Sequence, residues 1–225
     1  MDWTRAIDNY CERLSPEFWA EPVNALTNFA FVAAAVYAGF YAARKGALDW
    51  AVFVLVVLAL AVGVGSFLFH TVAEVWALFA DVIPIQLFIV FYFALAMRRF
   101  AGLPVWAALL ITLGFLVGSF MVGGGLSRFL GDALNGSEGY LAPLAALLVV
   151  GAALIGADRK GAGWSLVGAA FLFAVSLTFR TVDEAVCPAF SLGTHFAWHL
   201  LNGLLLGWLV IAMARFGEIP RPRTA

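Results

Sequence analysis

The chain has 225 residues, of which 64% are hydrophobic and 12% are charged, with a formal net charge of -1. A soluble domain carries about 25% charged residues, so this composition excludes a soluble globular protein and predicts an integral membrane protein. The balanced charge, without a basic stripe or a nucleic-acid-reading motif, excludes nucleic acid as a partner. No obligatory protein partner is indicated.

The first 21 residues, MDWTRAIDNYCERLSPEFWAE, form a polar segment. They combine acids with aromatic residues, and they lack the basic start followed by a short apolar core that marks a secretory signal peptide. We therefore predict that residues 1–21 lie at the membrane surface as an outer segment of the mature protein.

Seven segments follow that are long and apolar enough to cross a bilayer as helices, which requires about 20 residues each. They are residues 22–43, 50–70, 77–97, 103–123, 139–157, 162–181 and 193–215. The sequence therefore predicts an all-α integral membrane protein, a seven-transmembrane helix bundle that forms a single domain over residues 1–225. The longest loop is expected at residues 123–139, GGGLSRFLGDALNGSEG, which is rich in glycine and polar residues and is predicted to be mobile.

Basic residues orient the predicted spans. Three basic pairs lie in the first, third and fifth loops, namely Arg44–Lys45, Arg98–Arg99 and Arg159–Lys160. The C-terminal tail adds Arg215, Arg221 and Arg223, so this side carries nine of the 13 Lys and Arg residues and the other side carries four. The positive-inside rule then predicts an outer N-terminus and a cytoplasmic C-terminus. High alanine and glycine content and short loops favour a bacterial inner membrane.

Ionisable residues lie at the outer ends of three spans, where burial in lipid is costly and usually marks a functional site. His70 ends the second span, and Ser66 lies one helical turn earlier on the same face. Asp81 lies at the start of the third span. His195 and His199 are four residues apart and share one face at the start of the seventh span.

All three histidines of the chain thus fall at one membrane level. Three neutral imidazoles with an open fourth position are the ligand set of a catalytic zinc site, and we predict that His70, His195 and His199 bind zinc. A histidine pair four residues apart is how helical zinc enzymes present two ligands. Asp81 is then predicted to orient or deprotonate a water molecule. Ser66 is predicted to donate a hydrogen bond to a developing oxyanion.

Each of these residues also has a structural alternative. A single histidine within a span is more often a hydrogen-bonded packing residue than a ligand. A serine such as Ser66 commonly bonds to the preceding helical turn. Asp81 suits a helix N-terminus as a capping acid.

The same residues resemble the motifs of the alkaline ceramidase family, which belongs to the CREST superfamily of seven-span membrane hydrolases. The matching pattern is S-x-x-x-H at Ser66 and His70, an aspartate eleven residues later at Asp81, and H-x-x-x-H at His195 and His199. The stretches AEPVNALTN and DEAVCPAFSLGTHFAWH are similar to the family's entries to its first and last spans. The resemblance extends from about Asp8 to Asn202.

The resemblance implies zinc-dependent hydrolysis of the amide bond of ceramide, which releases a sphingoid base and a fatty acid. By position, the three histidines would be the zinc ligands, Asp81 would hold or activate the water, and Ser66 would stabilise the oxyanion. The lipid partner is therefore expected to be ceramide, another N-acyl lipid or an ester. The active site would face the periplasm.

The resemblance also implies a calcium site in the N-terminal segment, for which Asp8, Glu12 and Glu21 are the candidate side chains. Clustered carboxylates are what a hard cation prefers. The chain reads DNYCER from Asp8 to Arg13, which departs from the tighter spacing of the family. The alternative is a solvated acidic segment in which Glu21 caps the first span.

Cys11 and Cys187 both fall on the predicted outer side, a compartment that permits disulfides. The resemblance supports a bridge between them, because both lie within matching stretches. The alternative is a pair of free buried thiols.

Two other functional classes compete with a lipid amidase. A receptor or sensor with a structural zinc would need a fourth protein ligand, a role that Asp81 would have to fill. A transporter would need acids and histidines at several depths, and the inner halves of the spans contain almost none.

Overall fold

The computed structural model describes residues 2–217, except for the side chain of Asp132. Its helices in chain order are α1 (Pro22–Thr27), α2 (Phe29–Arg44), α3 (Trp50–Val72), α4 (Val75–Leu95), α5 (Val105–Leu130), α6 (Glu138–Gly156), α7 (Lys160–Thr181), α8 (Asp183–Val186) and α9 (His195–Phe216). A π-helical turn, Ala96–Phe100, extends α4. Arg221 and Arg223, which contribute to the predicted orientation, lie outside the described residues.

Seven helical units are long and apolar enough to cross a membrane, when α1 with α2 and α4 with its π-helical turn are each counted as one unit. The most apolar window lies in α3, with a mean hydropathy of 2.8. This confirms the predicted all-α membrane bundle. The orientation of its termini stays a prediction.

The structure differs from the predicted spans most clearly between the fourth and the fifth span. Helix α5 continues to Leu130, through the glycine run 123–125, and a 3-10 turn follows at Gly131–Leu134. Glycine weakens a helix by about 1 kcal/mol in water. Such a propensity is a weak prior that structural context overrides, and here the helix continues through the glycines for 26 residues.

Helix α9 lies inside the bundle and contacts α1, α2, α3 and α7. It approaches α2 closely through small residues, with Gly203 against Ala30 and Gly207 against Ala34. Small side chains at a crossing allow two helix backbones to pack closely in a membrane. The packing of α9 against α3 brings the histidines of two distant sequence regions together.

The crossing of α3 and α4 is tight at Gly65, which faces Ala80. A Cβ atom added at Gly65 would lie 2.6 Å from the carbonyl carbon of Ala80. Ser66 follows Gly65 and Asp81 follows Ala80, so this crossing sets how far apart the two candidate catalytic side chains lie.

We expect Gly65→Ala to lower the Tm of the purified protein in detergent, because the added Cβ must push α3 and α4 apart. Overpacking of this kind costs about 1–3 kcal/mol, which corresponds to a fall in Tm of about 2–12 °C for a chain of this size. Gly118→Ala is the matched control, since nothing lies within 4 Å of a Cβ there. An unchanged Tm for Gly65→Ala would contradict the close crossing.

The N-terminal segment covers the end of the bundle at which α3 ends and α4 and α9 begin, which we call the histidine end. The amide of Ile7 donates to the carbonyl of Ala73 at 2.8 Å, and an isolated antiparallel bridge joins Ala6 to Glu74. A disulfide links Cys11 to Cys187. The segment is therefore attached both to the α3–α4 turn and to the connection that precedes α9.

Candidate metal centre

The three histidines meet at the histidine end. His70 lies in the last turn of α3, His195 begins α9, and His199 follows one turn later. One ring nitrogen from each lies within 4.8 Å of the other two. All three side chains are buried, with at most 2% of each residue exposed. In residues 2–217 no cysteine or carboxylate joins this group.

Each histidine has one buried ring nitrogen that finds no hydrogen-bond partner in the described part of the chain. These atoms are Nε2 of His70, Nδ1 of His195 and Nε2 of His199. A buried polar atom without a partner costs free energy unless something binds it. A metal ion held by the three imidazoles would satisfy all three atoms at once, so the residues fit such an ion.

The opposite ring nitrogens of two histidines are held by neighbouring side chains. Nδ1 of His70 lies 2.6 Å from a carboxylate oxygen of Glu21, and Nδ1 of His199 lies 3.0 Å from the hydroxyl of Thr27. The Thr27 hydroxyl itself donates to helix carbonyls, so it accepts from His199. Both contacts leave the proton on Nδ1 and the lone pair on Nε2, as metal-binding histidines require.

Ser66 and Asp81 line a small cavity together with His195 and His199. Ser66 is 3% exposed and Asp81 is 8% exposed. The Oδ1 atom of Asp81 has no hydrogen-bond partner among the described residues. The Oδ1 atom of Asp81 and the hydroxyl of Ser66 therefore lie beside the histidine group, on the wall formed by the α3–α4 crossing.

Tyr10 and Arg180 also line this cavity, and Asp183 holds the start of α9 beside it; no spacing in the sequence assigns these residues to the site. Tyr10 stacks on His195, with ring centroids 3.7 Å apart. Arg180 lines the cavity, and its guanidinium lies 5.5 Å from the Tyr140 ring. Asp183 accepts the amides of Cys11 and His195 at 3.0 and 2.9 Å, which fixes the N-terminal segment to the start of α9.

The acids expected to bind calcium are not brought together as a group of ligands. Asp8 is exposed. The two carboxylate oxygens of Glu12 accept the amides of Val23 and Asn24 at 2.7 and 2.8 Å, at the N-terminus of α1. Burial raises the pKa of the Glu12 carboxyl above its usual value, although these two amides oppose the shift. Because both oxygens of Glu12 bind amides and the acids form no ligand group in residues 2–217, Asp8 and Glu12 do not fit the calcium site that the family resemblance implies.

Glu21, the third acid, is occupied by other partners. It accepts from Arg13 at 2.5 Å, from Asn24 at 3.1 Å and from His70. Burial alone would raise the pKa of Glu21, but His70 and Arg13 outweigh burial and hold it below its usual value. Glu21 is thus an ionised partner of a histidine and an arginine.

A second, apolar cavity lies deeper in the bundle. It shares five wall residues with the polar cavity, namely Phe31, Val62, Ile85, Tyr140 and Trp198. Its remaining walls include Phe88, Phe173 and Leu205. A polar site that adjoins an apolar cavity of this kind suits an amphiphilic ligand that has a hydrocarbon chain.

These features define a class of membrane protein, in which seven helices enclose a three-histidine centre at one end and an apolar cavity below it. Within that class, the chain belongs to the ceramidase family. The family's sequence model, described as Ceramidase, matches residues 4–218, nearly the whole chain. The resemblance of the sequence motifs to ceramidases is thereby confirmed. A search of curated protein sequences finds no significant match.

Proposed function

We propose that this protein is a zinc-dependent intramembrane hydrolase that cleaves the amide bond of ceramide or a related N-acyl lipid. Membership of the ceramidase family supports a ceramide-hydrolysing membrane enzyme. The observation that carries the metal dependence is the group of three buried imidazoles with unpartnered nitrogens.

His70, His195 and His199 would hold the ion. Three imidazoles favour zinc over calcium or magnesium, which prefer oxygen ligands. When bound in such a site, zinc polarises a carbonyl group and lowers the pKa of a bound water to about 7.

Asp81 acts as the general base in this proposal. Its carboxylate accepts a proton from water as the water oxygen adds to the amide carbonyl carbon. Asp81 then returns the proton to the amide nitrogen as the C–N bond breaks. The products are a fatty acid and an amine, so one water molecule is consumed for each amide bond.

Ser66 stabilises the charge that develops during this reaction. Its hydroxyl donates a hydrogen bond to the carbonyl oxygen as that oxygen becomes negative. Ser66 lies on the same helix as His70, one turn away, and lines the same cavity as His195 and His199.

The apolar cavity holds the acyl chain, and the polar cavity holds the amide. Phe88, Phe173 and Leu205 supply apolar walls, which exclude water from the chain. The head group of the lipid then remains at the histidine end. With the N-terminus outside, this end faces the periplasm of a bacterial inner membrane.

The alternative is a receptor or sensor with a structural zinc ion. Structural zinc sites are closed by four protein ligands, whereas catalytic sites use three and keep one position open. Asp81 does not join the histidine group as a fourth member. The three-ligand set therefore favours catalysis.

The proposal is tested by hydrolysis of a lipid panel by the purified, zinc-loaded protein in detergent or lipid nanodiscs. The panel contains ceramide, a second N-acyl amide lipid and an acyl ester, all with the same chain length. We expect fatty-acid release, measured by mass spectrometry, from the amides in preference to the ester. His195→Ala serves as the inactive control. A zinc-loaded protein that cleaves neither amide at any pH would contradict the proposal.

A further inference from the structure

Arg13 is a buried cation in the N-terminal segment, whose other basic residue, Arg5, is exposed. Arg13 is 5% exposed, and its ion-pair partner Glu21 is 2% exposed. Nε of Arg13 donates to a Glu21 carboxylate oxygen at 2.5 Å. A charge taken out of water in this way is tolerated only when it is paired and its hydrogen bonds are satisfied.

The other donors of the Arg13 guanidinium reach backbone carbonyls. Nη1 donates to the carbonyl of Ser15 at 3.1 Å and to that of Glu17 at 3.4 Å. Nη2 donates to the carbonyl of His70 at 3.1 Å. One carboxylate and three carbonyl oxygens thus surround a single positive group, which is the kind of oxygen set that a calcium ion takes.

We propose that the guanidinium of Arg13 is the built-in cation of this segment and stands where calcium is expected. The chain therefore folds its N-terminal segment without calcium. Among residues 2–217 the acids Asp8, Glu12 and Glu21 do not form a group of metal ligands, and both oxygens of Glu12 bind the amides at the start of α1. The third, Glu21, neutralises the guanidinium.

Arg13 is also a positioning residue for the histidine centre, a step that rests on the proposed zinc site. Arg13 binds one oxygen of the Glu21 carboxylate, and the other oxygen binds Nδ1 of His70 at 2.6 Å. Because Arg13 also binds the carbonyl of His70, it holds this residue by both its backbone and its side chain. The guanidinium thereby fixes the direction in which Nε2 of His70 points.

The first test is the response to calcium of protein purified without added calcium. We expect no retained calcium by elemental analysis and no change in Tm when calcium chloride is added, with magnesium chloride as the control. A specific site filled at about a hundredfold excess over its Kd would raise Tm by about 5–10 °C. A calcium-specific rise of that size would overturn the inference.

The second test replaces the cation itself. Arg13→Met keeps an unbranched side chain without the charge, and Arg5→Met, at an exposed position of the same segment, is the matched control. We expect Arg13→Met to weaken zinc binding by up to about 10–100-fold, the effect of losing the direct partner of a metal-binding histidine, because Arg13 holds the Glu21 carboxylate that binds His70. Zinc affinity is measured by competition with a chromophoric chelator, which needs no lipid substrate.

Arg13→Lys keeps the test informative if Arg13→Met does not fold. Lysine retains the positive charge but lacks the planar guanidinium that binds Glu21 and the backbone carbonyls together. Relative to Arg13→Met, we therefore expect Arg13→Lys to recover more of the Tm than of the zinc affinity. An Arg13→Lys protein with the zinc affinity of the wild type would overturn the positioning role. A wild type that binds no zinc would instead contradict the proposed function and leave the calcium result standing.

Discussion

Replacing His199 by alanine is expected to remove zinc and lipid hydrolysis together. His199 is 1% exposed, and its Nε2 has no hydrogen-bond partner in the part of the chain that the structure describes. Loss of an outer partner of a metal ligand weakens binding about 10–100-fold, so loss of the ligand itself should weaken it by more than about 100-fold. Zinc per chain by elemental analysis and fatty-acid release provide the two measurements.

Leu200→Ala is the matched control for this variant. Leu200 is the next residue of α9, but 46% of it is exposed on the outside of the bundle. We expect this variant to keep both the zinc and the activity of the wild type. An unchanged zinc content in His199→Ala would contradict the assignment of His199 as a zinc ligand. If such a variant also lost activity, His199 would act in the reaction without binding the metal.

The parts of the fold and site that depend on local sequence could be predicted. The long apolar runs required helices whatever their packing, because backbone groups have no partner in lipid. The spacing of Ser66 and His70, and of His195 and His199, set each pair on one helical face. The count of three histidines at equivalent span ends then indicated one site, and these residues do meet in the structure.

The contacts that depend on packing between distant segments could not be predicted. Glu21 reaches His70 across 49 residues, and Thr27 reaches His199 across 172. The distance along the sequence between the two residues of each pair gives no indication that they are in contact. The family resemblance makes Glu21 a candidate calcium ligand, whereas the structure gives it a guanidinium and an imidazole as partners.

The extent of α5 shows a second limit of sequence reasoning. Turn-forming residues such as Gly123 and Ser127 indicated a loop, yet both lie within a helix that ends at Leu130. Glycine and serine favour turns because glycine loses more backbone entropy in a helix and the serine hydroxyl competes for backbone hydrogen bonds. Glycine costs a helix about 1 kcal/mol relative to alanine and serine less, so these residues weaken a helix in this stretch without excluding it.

Replacing Asp81 by asparagine is expected to abolish most of the activity while leaving the metal in place. Asparagine preserves the size of the side chain and cannot accept the proton from water. The loss of a general base lowers kcat by about 10²–10⁴-fold. Zinc content and Tm should stay close to those of the wild type, because the histidine group does not include Asp81.

Glu74→Gln is the matched control, since Glu74 lies at the N-terminus of the same helix and its carboxylate binds Trp76 outside the cavity. It should retain wild-type kcat. If Asp81→Asn loses zinc to the same degree as His199→Ala, Asp81 is a fourth ligand. The site is then closed, and the receptor or sensor alternative gains over catalysis. If Asp81→Asn keeps its zinc and loses kcat, the carboxylate acts on the water, as a hydrolase requires.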